Sequence, residues 1–109
     1  MAQNIITIKK RSVFEYVKNN GKSIKRKDFI IEILQDIELD NNIAVGYTAT
    51  KRLGGAVIRN KAKRRMRELA RKIISKYGKI NFYYVLIAKS SLLKRPFKEL
   101  ELELKKSIL

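Results

Sequence analysis

The sequence lacks the side chains on which many enzymes and metalloproteins depend. It has no cysteine, histidine or tryptophan in 109 residues, and a single proline. Zinc sites built from cysteine and histidine, disulfides, thiol nucleophiles and histidine bases are therefore excluded. Proteins of the reducing cytoplasm rarely contain disulfides, so their absence fits the cytoplasmic location that we expect.

Acidic residues are also scarce. Ten aspartates and glutamates stand against 26 lysines and arginines, which gives a net charge of +16. Such a charge predicts a polyanionic partner, most often the phosphate backbone of a nucleic acid. A membrane surface is the competing partner, but no apolar run is long enough to span a bilayer and the N-terminus lacks a secretory h-region. We expect no membrane association and one RNA-binding domain over residues 1–109.

A basic amphipathic helix is the most informative feature, and Gly54 and Gly55 precede it. Apolar residues recur at steps of three and four, which predicts one buried stripe, at Ile58, Ala62, Met66, Leu69, Ile73 and Tyr77. The opposite face is polar and carries Asn60, Lys61, Arg64, Arg67, Glu68 and Arg71. A charged face is usually only solvated, but such a face mixes both signs, whereas Glu68 is the single acid here. The helix therefore favours nucleic-acid binding. Gly78 predicts that the helix ends there, with this glycine in the left-handed backbone conformation.

Three strands are predicted around this helix, over residues 29–35, 43–50 and 81–88. The segment 36–42 between the first two has the composition of a hairpin connection, with Asp36, Glu38 and Asp40 on its solvent side rather than in a metal site. The strand 43–50 has one face of small residues, where a ligand backbone can approach closely. An edge surface with nothing bound is the plainer interpretation.

The order strand, helix, strand across residues 43–88 predicts a parallel pair. Because parallel strands share their C-terminal ends, we expect Lys51 and Arg52 to lie near Lys89 at one edge of the sheet. A helix is predicted at each end of the chain. The first begins with a capping box formed by Ser12 and Glu15, and the second begins near Pro96.

A longer stretch carries a family resemblance. Residues 48–64 have the sequence TATKRLGGAVIRNKAKR, which resembles the signature of the bacterial ribonuclease P protein subunit. The similarity covers nearly the whole chain. It implies an α+β fold, an αββαβα two-layer sandwich of ribosomal-protein type, with a left-handed βαβ crossover. The general rule for such crossovers is right-handed.

In that family RNA is the catalyst, and the protein binds both the catalytic RNA and precursor tRNA. The resemblance implies Mg²⁺-dependent endonucleolytic removal of the 5′ leader, with the Mg²⁺ held mainly by RNA phosphates. It implies no catalytic residue and no metal site on the protein, which agrees with the missing histidines. It assigns no oligomeric state.

The resemblance also assigns residues to two surfaces. The catalytic RNA would contact the basic helix through Arg59, Asn60, Lys61, Lys63, Arg64 and Arg67. The single-stranded leader would lie in a cleft between the first helix and the sheet, lined by Phe14, Thr48, Thr50, Lys51, Arg52 and Lys89. The chain departs from the family where Lys18 and Glu32 replace aromatic residues of the cleft, so we expect weaker stacking and more reliance on charge.

Two other functions compete with this interpretation. A small ribosomal protein of related fold is the first alternative, although such proteins often carry long basic tails that this chain lacks. A DNA-binding helix-turn-helix module is the second, but a strand rather than a short turn precedes the basic helix.

Overall fold

The structure is a computed structural model, and it describes residues 5–109. Its helices and strands follow one another along the chain as β1 (Ile5–Thr7), α1 (Arg11–Asn20), β2 (Lys22–Lys25), β3 (Phe29–Gln35), β4 (Ile43–Thr48), α2 (Ala56–Leu69), α3 (Ser75–Tyr77), β5 (Phe82–Ala88) and α4 (Phe97–Ile108). The predicted α+β class and the predicted order of the six longer elements are confirmed. The two short strands β1 and β2 were not predicted.

The five strands form one sheet in the order β1-β4-β5-β3-β2. β4 and β5 are parallel, with Gly46 opposite Val85, which confirms the predicted βαβ unit. β3 is antiparallel to β5. The handedness of the crossover stays a prediction.

The hairpin predicted over residues 36–42 is wrong, because β5 lies between β3 and β4. This segment instead crosses the end of the sheet through a 3-10 turn, followed by Asp40 and Asn41 at positive φ. Asp36 is not simply solvated, since its carboxylate accepts hydrogen bonds from the Tyr16 hydroxyl at 2.8 Å and the Glu38 N–H at 3.0 Å. Polar alternation occurs in hairpins and in crossing loops alike, so the sequence did not distinguish them.

Side chains alternate between the two faces of the sheet, and each face has its own core. The larger core lies under α2 and α4 and includes Ile31, Val45, Met66, Leu86 and Leu104. The smaller core lies under α1 and includes Ile8, Val17, Ala44 and Val85. The helix α1 therefore adds a partial third layer to the predicted two. Because α1 is short, it leaves part of this sheet face uncovered, and a groove lies beside the helix there.

The basic helix is longer than α2 alone, because it continues through a π-helical turn, Ala70–Ile74, into α3. The predicted apolar stripe is buried at Ala62, Met66 and Leu69, whereas Ile58 in the first turn is 41% exposed. The helix does not end in the left-handed conformation that was predicted, since Gly78 has φ −67°. Glycine is needed there for a steric reason, because a Cβ would lie 2.5 Å from the Ile74 carbonyl oxygen.

The predicted capping box at the start of α1 is also wrong. The helix begins two residues earlier, at Arg11, and its N-cap residue is Lys10 rather than Ser12, with no side-chain capping bond. Glu15 instead pairs with Arg11, at 3.4 Å between Nε and Oε1. Both side chains are exposed, so this pair contributes little to stability.

Candidate nucleic-acid interface

A cavity of about 370 Å³, called here the α1 cavity, lies between α1 and the sheet. Its lining combines an aromatic ring, hydroxyls, apolar strand residues and charges of both signs, from Arg11, Phe14, Glu15, Lys18, Glu32, Thr48, Thr50, Val85 and Ile87. Three of the residues predicted for the leader cleft, Phe14, Thr48 and Thr50, therefore meet in one groove. An aromatic ring beside hydroxyls and cations is the chemistry by which proteins bind single-stranded nucleic acid, through stacking and backbone contacts.

The ring of Phe14 is seated on Gly46. A Cβ at Gly46 would lie 2.5 Å from Cε1 and 2.9 Å from Cζ of Phe14, so only glycine leaves room for the ring in this position. Gly46 lies on the face of β4 that the sequence predicted to be small. The neighbour Ala44 on that face is buried in the smaller core. The small residues thus let α1 approach the sheet and fix the ring at the border of the cavity.

The two departures from the family pattern lie in this cavity, where Lys18 and Glu32 both contribute to the lining. Glu32 is 9% exposed and stands opposite Val85 of β5. Burial raises the pKa of Glu32, and the positive charge of Lys18 acts in the opposite direction. A carboxylate in the floor of the groove repels phosphate, and the lysine offsets part of that repulsion.

The other three residues predicted for the cleft lie outside the described lining of the α1 cavity. Lys51 and Arg52 follow Thr50 directly in an exposed 3-10 turn, Lys51–Leu53. Lys89 follows β5, and its ammonium group donates to the Arg26 carbonyl at 2.5 Å. Since Thr48 stands opposite Ile87, β4 and β5 end at the same edge of the sheet, as predicted. The nearness of Lys51 and Arg52 to Lys89 stays a prediction. Lys51 and Arg52 are exposed and form no ion pair within residues 5–109, whereas Lys89 is held by a backbone carbonyl.

The cations of α2 divide between two further cavities. The first, called here the Phe97 cavity, has a volume of about 600 Å³ and is lined by Ile58, Lys61, Arg64, Arg65, Glu68, Leu93 and Phe97. The second, called here the edge cavity, has a volume of about 280 Å³ and is lined by Thr7, Ile8, Lys9, Phe14, Tyr47, Lys63 and Arg67. Of the other residues predicted to bind the catalytic RNA, Asn60 is exposed and Arg59 is half-buried. The predicted set is therefore spread over more than one surface.

Sequence reasoning missed Arg65 on this helix. Its guanidinium lies 5.5 Å from the centroid of the Phe97 ring and donates a hydrogen bond to the Arg95 carbonyl. The buried carboxylate of Asp28, 3.1 Å from Nε of Arg95, holds that arginine in turn. No local pattern links α2 to the start of α4, so only the tertiary structure identifies this contact.

The single acid of the basic face is neutralised within the helix. Glu68 accepts hydrogen bonds from Arg71, one of them at 2.6 Å, and this pairing lowers the pKa of Glu68. The remaining cations of the face, among them Lys61 and Arg64, form no ion pair within the part of the chain that the structure describes. Unpaired like charges on one helix face are stabilised when a polyanion binds.

Neither a metal centre nor a membrane helix is found in residues 5–109. No group of three or more acidic residues there could hold a metal ion. No helix of the described residues is long and apolar enough to cross a membrane.

Comparisons with known proteins agree with this arrangement. The sequence matches the ribonuclease P family over residues 3–109. The ribonuclease P protein component of Symbiobacterium thermophilum is 34% identical over 93 residues, which cover 85% of this chain and 79% of that protein. The component from Caulobacter vibrioides is 42% identical over 67 residues, or 62% of this chain, and the match spans 45% of that protein's length.

The solved structure of the ribonuclease P protein from Thermotoga maritima is similar with a TM-score of 0.79. Its sequence is 22% identical, and the match covers 94% of each chain. At this identity the likeness concerns the fold.

Proposed function

This chain belongs to the ribonuclease P protein family, and from that premise we propose that it binds the catalytic RNA and the 5′ leader of precursor tRNA. In this proposal it promotes removal of the leader, which gives the mature 5′ end of tRNA in the cytoplasm. The observation that carries the proposal is the α1 cavity, where Phe14, Thr48 and Thr50 meet beside exposed cations.

The leader would bind in the α1 cavity by stacking and by charge. A base stacks on the half-exposed ring of Phe14, while the hydroxyls of Thr48 and Thr50 hydrogen-bond to the sugar-phosphate chain. Stacking of this kind has little sequence preference, which suits a protein that handles many precursors. Lys51 and Arg52 lie one and two residues beyond Thr50 and attract phosphates that leave the groove.

The catalytic RNA would bind to the exposed face of α2. Lys61 and Arg64 are exposed on one side of this helix, where both line the Phe97 cavity. Each phosphate that such a cation neutralises releases counterions, so the affinity should fall steeply with salt. Arg65, fixed by Arg95 and Phe97, gives this side of the helix a rigid base.

The protein would supply binding and position, and the RNA would supply the chemistry. With no histidine or cysteine in the chain, the protein has no ordinary proton carrier near neutral pH. Magnesium would be held by RNA phosphates, as the ion prefers, and would activate the water that attacks the phosphodiester. The ribosomal-protein alternative has no support among the relatives, which are ribonuclease P protein components.

The test is cleavage of a precursor tRNA by a bacterial ribonuclease P RNA at low magnesium, with and without this protein. We expect stimulation that depends on the 5′ leader, and Phe14→Ala should reduce it. Tyr16→Ala is the matched control, because Tyr16 is an exposed aromatic residue of the same helix outside the lining of the α1 cavity. Absence of stimulation by the unmodified protein would refute the proposal.

A further inference from the structure

The edge cavity lies where the sheet is open. Among the described residues, β1 pairs with β4 over Ile5–Thr7, opposite Ile43 to Val45, and one more bond joins the Ile8 N–H to the Val45 carbonyl at 2.9 Å. From Tyr47 onward, no described strand covers this side of β4. The cavity passes around the open edge, because Phe14 belongs to the α1 side of the sheet and Tyr47 packs on the α2 side.

All charged side chains in the described lining of the edge cavity are positive. Lys9, Lys63 and Arg67 contribute to it, and the described lining contains no acid. Lys63 and Arg67 are one helical turn apart on α2, so they face the same way. The α1 cavity and the Phe97 cavity both contain carboxylates. Of the three, the edge cavity is therefore the most favourable for a phosphate.

Two aromatic rings accompany these cations. The Arg67 guanidinium lies 5.7 Å from the centroid of the Tyr47 ring, and the Phe14 ring forms the opposite border. Burial raises the pKa of Tyr47 while Arg67 opposes that effect, so the phenol is neutral and can donate a hydrogen bond. Aromatic rings beside cations, without carboxylates, are the chemistry of a single-stranded nucleic-acid site.

Phe14 borders both the α1 cavity and the edge cavity. We propose that the two cavities are successive subsites for one RNA strand, so that Lys63 and Arg67 bind the precursor strand as it passes around the edge of β4. The family resemblance assigned both residues to the catalytic RNA. The inference rests on the proposed function and divides the basic helix by side. Lys61 and Arg64 face the catalytic RNA, and Lys63 and Arg67 face the substrate.

The experiment compares two double variants of the full chain, each assembled with a bacterial ribonuclease P RNA. One is Lys63→Ala with Arg67→Ala, and the matched control on the same helix is Lys61→Ala with Arg64→Ala. The affinity for the catalytic RNA alone is measured first. The affinity of the saturated complex is then measured for precursor tRNA and for mature tRNA, over a range of salt.

We expect the Lys63 and Arg67 variant to lose roughly tenfold in precursor affinity, as for charge-assisted hydrogen bonds, and to retain its affinity for mature tRNA. Its salt slope for the precursor should fall by roughly 0.7 for each lost contact to a single strand. The control should instead lose affinity for the catalytic RNA. Equal loss on precursor and mature tRNA, or a loss on the catalytic RNA as large as that of the control, would overturn the inference.

A series of leaders shortened one nucleotide at a time gives a second readout. Because the subsites are successive, the effect of the Lys63 and Arg67 variant should disappear at a different leader length from that of Thr48→Val with Thr50→Val, two residues that line the α1 cavity and not the edge cavity. Coincident lengths would contradict two subsites. If the unmodified protein gave no preference for precursor over mature tRNA, the proposed function itself would fail, which the unmodified arm of the experiment shows separately.

Discussion

Substitution of Gly46 by alanine tests whether the seating of Phe14 determines leader binding. The new methyl would lie 2.5 Å from Cε1 of Phe14 and 3.3 Å from Cβ of Ile8. Gly46 lies within β4 and its φ is not positive, so the backbone conformation there is also allowed for alanine. The substitution therefore displaces the Phe14 ring without removing it from the protein.

The displacement of the Phe14 ring should be large enough to change both the stability of the protein and its affinity for the precursor. Ordinary carbon–carbon contact begins at about 3.5 Å, so the ring must move by about 1 Å. Overpacking a core costs typically about 1–3 kcal/mol, and we expect the low end because Phe14 borders two cavities into which it can swing. Base stacking on an aromatic ring contributes about 1–3 kcal/mol, so its loss should weaken precursor binding by roughly tenfold.

The assay is equilibrium binding of precursor and mature tRNA by the assembled complex, together with urea unfolding of the protein alone. A double-mutant cycle with Phe14→Ala is the control. Once the ring is absent, the only tight contact left to the methyl is Cβ of Ile8 at 3.3 Å, so most of the stability cost of Gly46→Ala should vanish in that background. An equal cost in both backgrounds, or unchanged precursor selectivity in the single variant, would refute this account of the cleft.

Three further predictions concern charge. Glu32→Gln should tighten precursor binding, because it removes a carboxylate from the cavity floor. As the pH rises above 4.5, the stability of the unmodified protein should fall relative to this variant, because burial raises the pKa of Glu32 in the folded state. Parallel pH profiles of urea unfolding for the two proteins would contradict this prediction. Asp28→Ala should lower the free energy of unfolding by about 3 kcal/mol, since it leaves Arg95 without its buried partner, whereas a change below about 1 kcal/mol in urea unfolding would be inconsistent with a buried pair. Lys61→Ala or Arg64→Ala should reduce the salt slope for the catalytic RNA by roughly one unit per lost phosphate contact, and a salt titration with unchanged slope would remove that residue from the interface.

The sequence predicted those parts of the fold that local patterns encode. The buried stripe at Ala62, Met66 and Leu69 follows from helical periodicity, and the parallel strands follow from the order of elements. The edge strand β2 was missed because Ile24 is its only apolar residue and its burial is partial. The supposed hairpin failed because a local pattern does not show which strand will insert between two others.

The same distinction holds for the candidate site. The meeting of Phe14 with Thr48 and Thr50 could be predicted, because the family resemblance placed them on one cleft. The contacts of Arg65 with Phe97 and of Arg67 with Tyr47 could not, since each joins α2 to a distant element by packing. The resemblance treats α2 as one binding surface, whereas the packing divides its cations between two sides.

The cations of the chain fall into two groups: some form ion pairs that belong to the fold, and others are unpaired and are proposed to bind RNA. In the described residues every ion pair is formed by one of four arginines, Arg11, Arg26, Arg71 and Arg95. None of these arginines lies between residues 59 and 67, where the cations of α2 that are proposed to bind RNA are found. The pair of Asp28 with Arg95 is largely buried and is therefore screened little by salt, whereas exposed cations that contact phosphate are screened strongly. Added salt should accordingly weaken RNA binding through α2 long before it lowers the stability of the fold.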